Sequence, residues 1–226
     1  MVITDIFYSL QGEGLLAGVP SVFIRLAGCP LRCKWCDTKY AWDKEAGRQH
    51  SISEIIRATQ HWSCKFIVIT GGEPMINPDL PKLVKKLKDL DKHIAIETAG
   101  IAYIPEMPCD LMSISPKLSN STPAETELTL THENSRLDLA VLRELIDNYT
   151  YQLKFVVDSE DDLSEIRQTV EEIGSVDLEK VMLMPQAATR EELLAKSPMV
   201  AEMCKKSGFT FCQRLQVLLW NNRRGT

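Results

Sequence analysis

Phe66-Ile-Val-Ile-Thr-Gly-Gly-Glu-Pro74 reads as a strand run into a tight turn, and the helical pattern over 78–90 follows it. Four apolar residues make a short buried strand, two glycines let the backbone turn sharply, and a proline ends the extended run. There is no internal repeat, but strands and helices alternate along the chain. Strand-length apolar runs occupy 21–26, 66–70, 93–97, 111–115, 152–157, 181–184 and 209–214, and helical patterns occupy 51–60, 78–90, 137–148, 159–173 and 189–206. Strands alternating with helices predict an α/β fold, a parallel sheet joined by crossover helices. Ser51 with Glu54 and Thr189 with Glu192 have capping-box spacing, which marks two helix starts. The stretch 120–133 is polar and aperiodic and reads as a long surface loop, a lid or a disordered segment. Sheets of this kind place their sites at the carboxyl ends of the strands.

The 226 residues, 44% hydrophobic and 25% charged, suit one domain spanning 1–226 with a substantial core. A net charge of −5 argues against a broad nucleic-acid surface. No apolar run approaches ~18 residues, so no membrane span is expected. The first residues lack the basic region and apolar stretch of a signal peptide. Seven cysteines read as cofactor ligands plus buried thiols in a reducing cytoplasm rather than as a disulfide framework.

Three of those cysteines lie within eight residues, Cys29-Pro-Leu-Arg-Cys33-Lys-Trp-Cys36. Three thiolates can hold three irons of a [4Fe–4S] cube and leave the fourth iron open to a substrate or cofactor. Zinc is the alternative, but structural zinc takes four ligands, usually as two pairs. Cys64, Cys109, Cys204 and Cys212 form no second C-x-x-C pair, which leaves His50 or His61 as a fourth ligand. The spacing, with an aromatic residue before the last cysteine, resembles the radical S-adenosylmethionine (SAM) superfamily. There the open iron chelates SAM, and reductive cleavage yields a 5′-deoxyadenosyl radical.

Four further motifs sit at strand ends. In Thr70-Gly71-Gly72-Glu73-Pro74 the backbone can approach a ligand closely and the carboxylate can accept from an ammonium group. The same residues also suit an ordinary strand-to-helix turn. Ser115-Pro116-Lys117 offers a hydroxyl and an ammonium, and Met184-Pro185-Gln186 an amide that can read an adenine edge or a ribose; each is weak alone. Ser9-Leu10-Gln11-Gly12-Glu13-Gly14 reads as a substrate-holding loop. Arg25 lies in an apolar strand, where it either faces inward and needs an anion or faces outward on an edge.

Together SLQGEG, FIRLAGCPLRCKWCDT, TGGEP, ETAG, SPK and MPQ, in that order from Ser9 to Gln186, resemble the 7-carboxy-7-deazaguanine synthases, radical SAM enzymes of queuosine and deazapurine biosynthesis. The resemblance implies a partial β/α barrel and conversion of 6-carboxy-5,6,7,8-tetrahydropterin into 7-carboxy-7-deazaguanine with loss of ammonia. It implies SAM, a [4Fe–4S] cluster and Mg²⁺ as cofactors, a flavodoxin- or ferredoxin-type electron donor, and a homodimer. Carried across, Cys29, Cys33 and Cys36 ligate the cluster, Trp35 lies against the adenine, and Thr38 ligates Mg²⁺. Leu10, Gln11, Gly12, Glu13, Arg25 and Thr70 match pterin positions. Gly72, Glu73, Ser115, Pro116, Lys117 and Gln186 match SAM positions, with Glu97 a further candidate. In some members the terminal carboxylate meets the pterin, the place of Thr226 here.

A glycyl-radical activating enzyme would share the cluster loop and the GGEP turn, but should lack the QGEG and CDT elements. A zinc-binding interaction module would carry about one zinc per chain instead of iron and sulfide.

Overall fold

The computed structural model describes every residue except Glu125 and Asn222. A nine-stranded sheet runs through the described residues in the order β3-β1-β2-β4-β5-β6-β7-β8-β9. From β2 (Pro20–Leu26) onward every pairing is parallel: β4 (Phe66–Gly71), β5 (His93–Thr98), β6 (Leu111–Ile114), β7 (Tyr151–Val157), β8 (Val181–Pro185) and β9 (Thr210–Phe211). β1 (Val2–Leu10) is antiparallel to both β2 and the two-residue β3 (Arg48–Gln49). The two edge strands, β3 and β9, do not pair with each other, so the barrel is incomplete.

The crossovers carry α1 (Ile52–Thr59), α2 (Leu80–Lys88), α4 (Leu139–Asn148), α5 (Asp162–Ile173) and α6 (Arg190–Ser207), matching the five helical patterns. Both expected capping boxes form, Ser51 with Glu54 and Thr189 with Glu192. One face of each strand packs under these helices. Ile24, Ile67, Ile69, Ile94, Ile96, Met112, Ile114, Leu153, Phe155 and Leu183 belong to one buried core with Leu83, Leu87, Leu142, Leu145 and Ile166 of the helices. Strand side chains alternate, so Phe23, Arg25, Val68, Thr70, Ala95, Glu97, Ser113, Gln152, Lys154, Val156, Met182 and Met184 belong to the opposite face.

The structure corrects the sequence reading at four places. The stretch 120–133 is not a surface loop: it contains α3 (Thr126–Glu133) after a 3₁₀ turn at Ser119–Ser121. Its period is invisible because α3 has no apolar face. β1 precedes the first helix and lies outside the strand–helix alternation. The strand expected over 209–214 shrinks to Thr210–Phe211, because at Gln213 and Arg214 the chain leaves the sheet to enter α7 (Leu215–Trp220). The tail beyond 214 therefore carries a helix.

Candidate active site

The strand face away from the helices changes character along its length. Toward the amino ends Phe23, Val68, Ala95, Leu111 and Leu16 form a small apolar floor. Toward the carboxyl ends stand Arg25, Thr70, Glu97, Ser113 and Lys154. A cavity of about 300 Å³ opens there, at the low end of small-molecule sites.

The cysteine loop and the GGEP turn meet at this mouth. Register pairs Arg25 with Thr70 and Leu26 with Gly71. The turn then hydrogen-bonds to the start of the loop, Gly72 N to Leu26 O at 2.9 Å and Glu73 N to Gly28 O at 2.8 Å. A Cβ on Gly72 would lie 2.1 Å from the Gly28 carbonyl oxygen, and Gly71 sits at φ +137°. The two glycines are thus required by backbone contact between the motifs.

Cys29, Cys33 and Cys36 all line the cavity, with Trp35 and Thr38. Burial pushes the Cys29 thiol up to about 12. It raises Cys33 as well, opposed by the Lys117 ammonium. Buried thiols of this kind ionise only when a metal compensates the charge. Among the described residues no three His, Cys, Asp or Glu side chains converge on a single ion.

Leu10, Gln11, Gly12, Glu13, Arg25 and Thr70 line the same cavity, as do Gly72, Ser115, Lys117, Glu97 and Thr226. Lys117 Nζ donates to Ser115 Oγ at 2.9 Å and lies 5.7 Å from the Trp35 ring centroid. Thr38 Oγ1 is 3.6 Å from Cys36 Sγ. The Nε of Arg25 is buried with no hydrogen-bond partner; its nearest carboxylate oxygen, Asp5 Oδ2, is 3.9 Å away. Asp5 is itself held by Arg224 at 2.8 Å. Three expected residues stand back from the cavity lining: Glu73, Pro116 and Gln186. Glu73 Oε1 accepts from Met75 N and Thr98 Oγ1, and Oε2 from Ala99 N. Burial raises its pKa against those bonds. Gln186 Oε1 accepts from Lys196 Nζ at 2.8 Å.

Sequence reasoning missed the charged centre of the cavity. Lys154, 1% exposed, donates to Glu13 Oε2 at 2.9 Å and Glu97 Oε2 at 2.8 Å. Arg214 reaches Glu13 Oε1 at 3.2 Å and Asp37 Oδ2 at 2.7 Å. Gln216 donates to Glu13 Oε1 at 2.7 Å, and a Cβ at Gly12 would lie 1.8 Å from the Gln216 amide oxygen. Gln11 and Ser113 complete the shell of Glu97 at 2.8 and 2.9 Å. Burial would raise the Glu13 carboxyl, but Lys154 and Arg214 outweigh it and bring it to about 2. Burial likewise opposes the Lys154 charge, and Glu97 with Glu13 holds its pKa above the ordinary lysine value. Strand alternation places Lys154 on the face of Gln152 and Val156, away from Leu153, Phe155 and Val157. That signal was present in the sequence; Arg214 had none.

Comparison with known proteins gives a consistent set of relatives. The radical SAM superfamily matches residues 23–122. The 7-carboxy-7-deazaguanine synthase of Rhodopirellula baltica is 40% identical over 230 residues, covering 100% of this chain and 89% of that protein. That of Halobacterium salinarum is 40% identical over 233 residues, covering 97% and 90%. The crystal structure of QueE from Escherichia coli superposes with a TM-score of 0.72 at 24% identity, over 93% of this chain and 92% of that one. No described helix is long and apolar enough to cross a membrane. With its cysteine loop and GGEP turn at one cavity and relatives matching along its whole length, the chain belongs to the 7-carboxy-7-deazaguanine synthase family, lyases of the radical SAM superfamily that use SAM and a [4Fe–4S] cluster.

Proposed function

We propose that this chain converts 6-carboxy-5,6,7,8-tetrahydropterin into 7-carboxy-7-deazaguanine with release of ammonia. The observation that carries the reading is the pairing, in one cavity, of an Arg25 guanidinium lacking a hydrogen-bond partner at Nε with the carboxylates of Glu13 and Glu97. A pterin bearing a carboxylate is the complementary shape: an anion for Arg25 and a row of ring N–H donors for the carboxylates.

Cys29, Cys33 and Cys36 would hold the cluster, which would supply the electron for cleavage of SAM to methionine and a 5′-deoxyadenosyl radical. Gly72, Ser115, Lys117 and Trp35 on the wall would receive SAM, with Glu73, Pro116 and Gln186 supporting from behind. Thr38 offers a hydroxyl beside the loop for Mg²⁺, which commonly takes few protein ligands and completes its shell with water and substrate oxygens. Mg²⁺ there would neutralise charge on the substrate carboxylate.

The chain's own groups bind and orient rather than transfer protons. Lys154 stays an ammonium and Glu13 a carboxylate, because each stabilises the other's charge. The apolar floor and the packed helix-facing core close the amino end of the strands, the side from which water would otherwise reach and quench a primary radical. One domain over 1–226, a homodimer, a cytoplasmic setting, and a flavodoxin- or ferredoxin-type electron donor accord with this reading, and the charge of −5 with the lack of a nucleic-acid partner.

The test is anaerobic reconstitution followed by incubation with SAM, reductant and carboxytetrahydropterin, with product mass spectrometry. Formation of 7-carboxy-7-deazaguanine supports the reading. Cleavage of SAM with the pterin left unchanged would sink the substrate while leaving the radical chemistry standing.

A further inference from the structure

The segment between β6 and α4 grips the cysteine loop residue by residue. Lys34 N donates to Ser121 O at 2.8 Å. Trp35 Nε1 donates to Asn120 O at 3.0 Å, and Asn120 is itself anchored to Val156 O and Asp162 Oδ2, both at 2.9 Å. Arg32 N donates to His132 Nδ1 at 3.2 Å, across 100 residues of sequence. His132 Nε2 lies 2.8 Å from Ser121 Oγ, and Ser121 Oγ–H donates to Leu118 O at 2.6 Å. The Arg32 and Lys34 amides held in this way flank Cys33 on both sides.

These partners fix the protonation of the imidazole. An N–H pointing at Nδ1 requires a lone pair there, and the single hydroxyl hydrogen of Ser121 is given to Leu118, so Nε2 carries the hydrogen and His132 is neutral. α3 has no other anchor of this kind: among its described side chains His132 alone is buried, at 1% exposure. Thr129 and Glu133 tie α3 to Pro123, Thr122 and Arg136, its own neighbours in sequence, whereas His132 ties it to the cysteine loop.

We propose that His132 is a positioning residue for the cluster-ligating loop: it ties α3 to the Arg32 amide and to Ser121, and so sets the presentation of Cys33 to the cluster. Partners behind metal ligands orient them and contribute to metal affinity. The proposal rests on the cluster assignment and is independent of the pterin as substrate.

The test uses the anaerobically reconstituted holoprotein and two readouts other than turnover: hydrogen–deuterium exchange over residues 28–36, and the rate of iron release to a chelator. His132→Ala leaves the Arg32 amide without its acceptor, and both rates should rise by on the order of tenfold. His132→Asn places an amide oxygen near the Nδ1 position and should bring exchange at Arg32 back to within about twofold, whereas His132→Gln, whose amide reaches the Nε2 position, should not. Leu130→Ala on the exposed side of α3 is the control. Parent-like exchange and iron release in His132→Ala would overturn the proposal, as would an equal effect from Leu130→Ala. If His132→Ala does not fold, equal exchange at Arg32 in the Asn and Gln variants overturns it.

Discussion

Lys154→Met removes the ammonium at the centre of the cavity while keeping the length of the side chain. Two carboxylates lose a partner, Glu13 at 2.9 Å and Glu97 at 2.8 Å. Glu13 keeps Arg214 and Gln216. Glu97 keeps only neutral donors, Gln11 and Ser113, so it becomes the uncompensated, partly buried charge. Breaking a buried pair from one side costs ~3–5 kcal/mol, and the donors left on Glu97 put this case near ~3 kcal/mol. At ~2–4 °C per kcal/mol for a chain of this size, the thermal midpoint of the apoprotein at pH 7 should fall by roughly 6–12 °C. The sign with pH follows from linkage. In the parent, the depressed Glu13 pKa contributes stability that is present above its unfolded value and is lost only as pH falls toward about 2. In the variant Glu13 loses its Lys154 partner, so its pKa is held down less and that part of the stability is missing. The gap between parent and variant should therefore be full at pH 7 and narrow as pH falls through the ordinary carboxylate range toward about 2. Calorimetric or circular-dichroism melts across that range test it. A midpoint loss under about 2 °C, or a gap that does not change with pH, refutes the view that Lys154 neutralises these carboxylates.

Cys33→Ala should lose bound iron and abolish 5′-deoxyadenosine formation; near-parent cleavage of SAM would remove the cluster from this loop. Arg25→Ala should weaken pterin binding by calorimetry far more than SAM binding, because its Nε has no other hydrogen-bond partner, and equal losses for both ligands would refute the role. Gly72→Ala forces a Cβ to 2.1 Å from the Gly28 carbonyl oxygen and parts two hydrogen bonds, so the apoprotein should lose ~2 kcal/mol or more; an unchanged melt would mean that the turn and the loop are not in contact. Thr38→Ala should leave iron content and SAM binding intact while flattening the response of turnover to added Mg²⁺.

What could be read in the sequence was local. The cysteine spacing, the glycine turn and the capping boxes each lie within a few residues, and each appears where it was expected. The charged centre was hidden because its parts are far apart. Lys154 and Glu13 are separated by 141 positions, and Arg214 and Glu13 by 201. Only the pleat of β7 betrayed Lys154; Arg214 lies in irregular chain, which has no period to read. α3 was hidden for a different reason. Among its described side chains the one that is buried is a histidine, bonded to the Arg32 amide and to Ser121, while Thr129 and Glu133 tie it to neighbouring chain, and a helix held by polar contacts leaves no hydrophobic pattern. Glu73 shows the opposite case, a motif residue whose carboxylate is fully engaged by its own turn and the end of β5, so its position was legible and its surroundings were not.

The arrangement of charge gives the site a direction. Lys154 and Arg214 meet Glu13, Glu97 and Asp37, two cations against three anions, so this group carries one net negative charge. Arg25 stands outside the group and has Asp5 as its distant counter-ion, while Asp5 is bonded by Arg224. A flat ligand with a carboxylate at one end and N–H donors at the other meets attraction in one orientation, and in the reverse orientation it sets like charges against each other and leaves donors facing a guanidinium. Such repulsion discriminates more sharply than the attractive contacts alone. The buried ion network therefore acts on orientation rather than on proton transfer. It keeps Glu13 ionised and both carboxylates fixed before any ligand arrives, beside the cysteine loop, and misplacing reacting atoms by ~1 Å can cost ~10²-fold in rate.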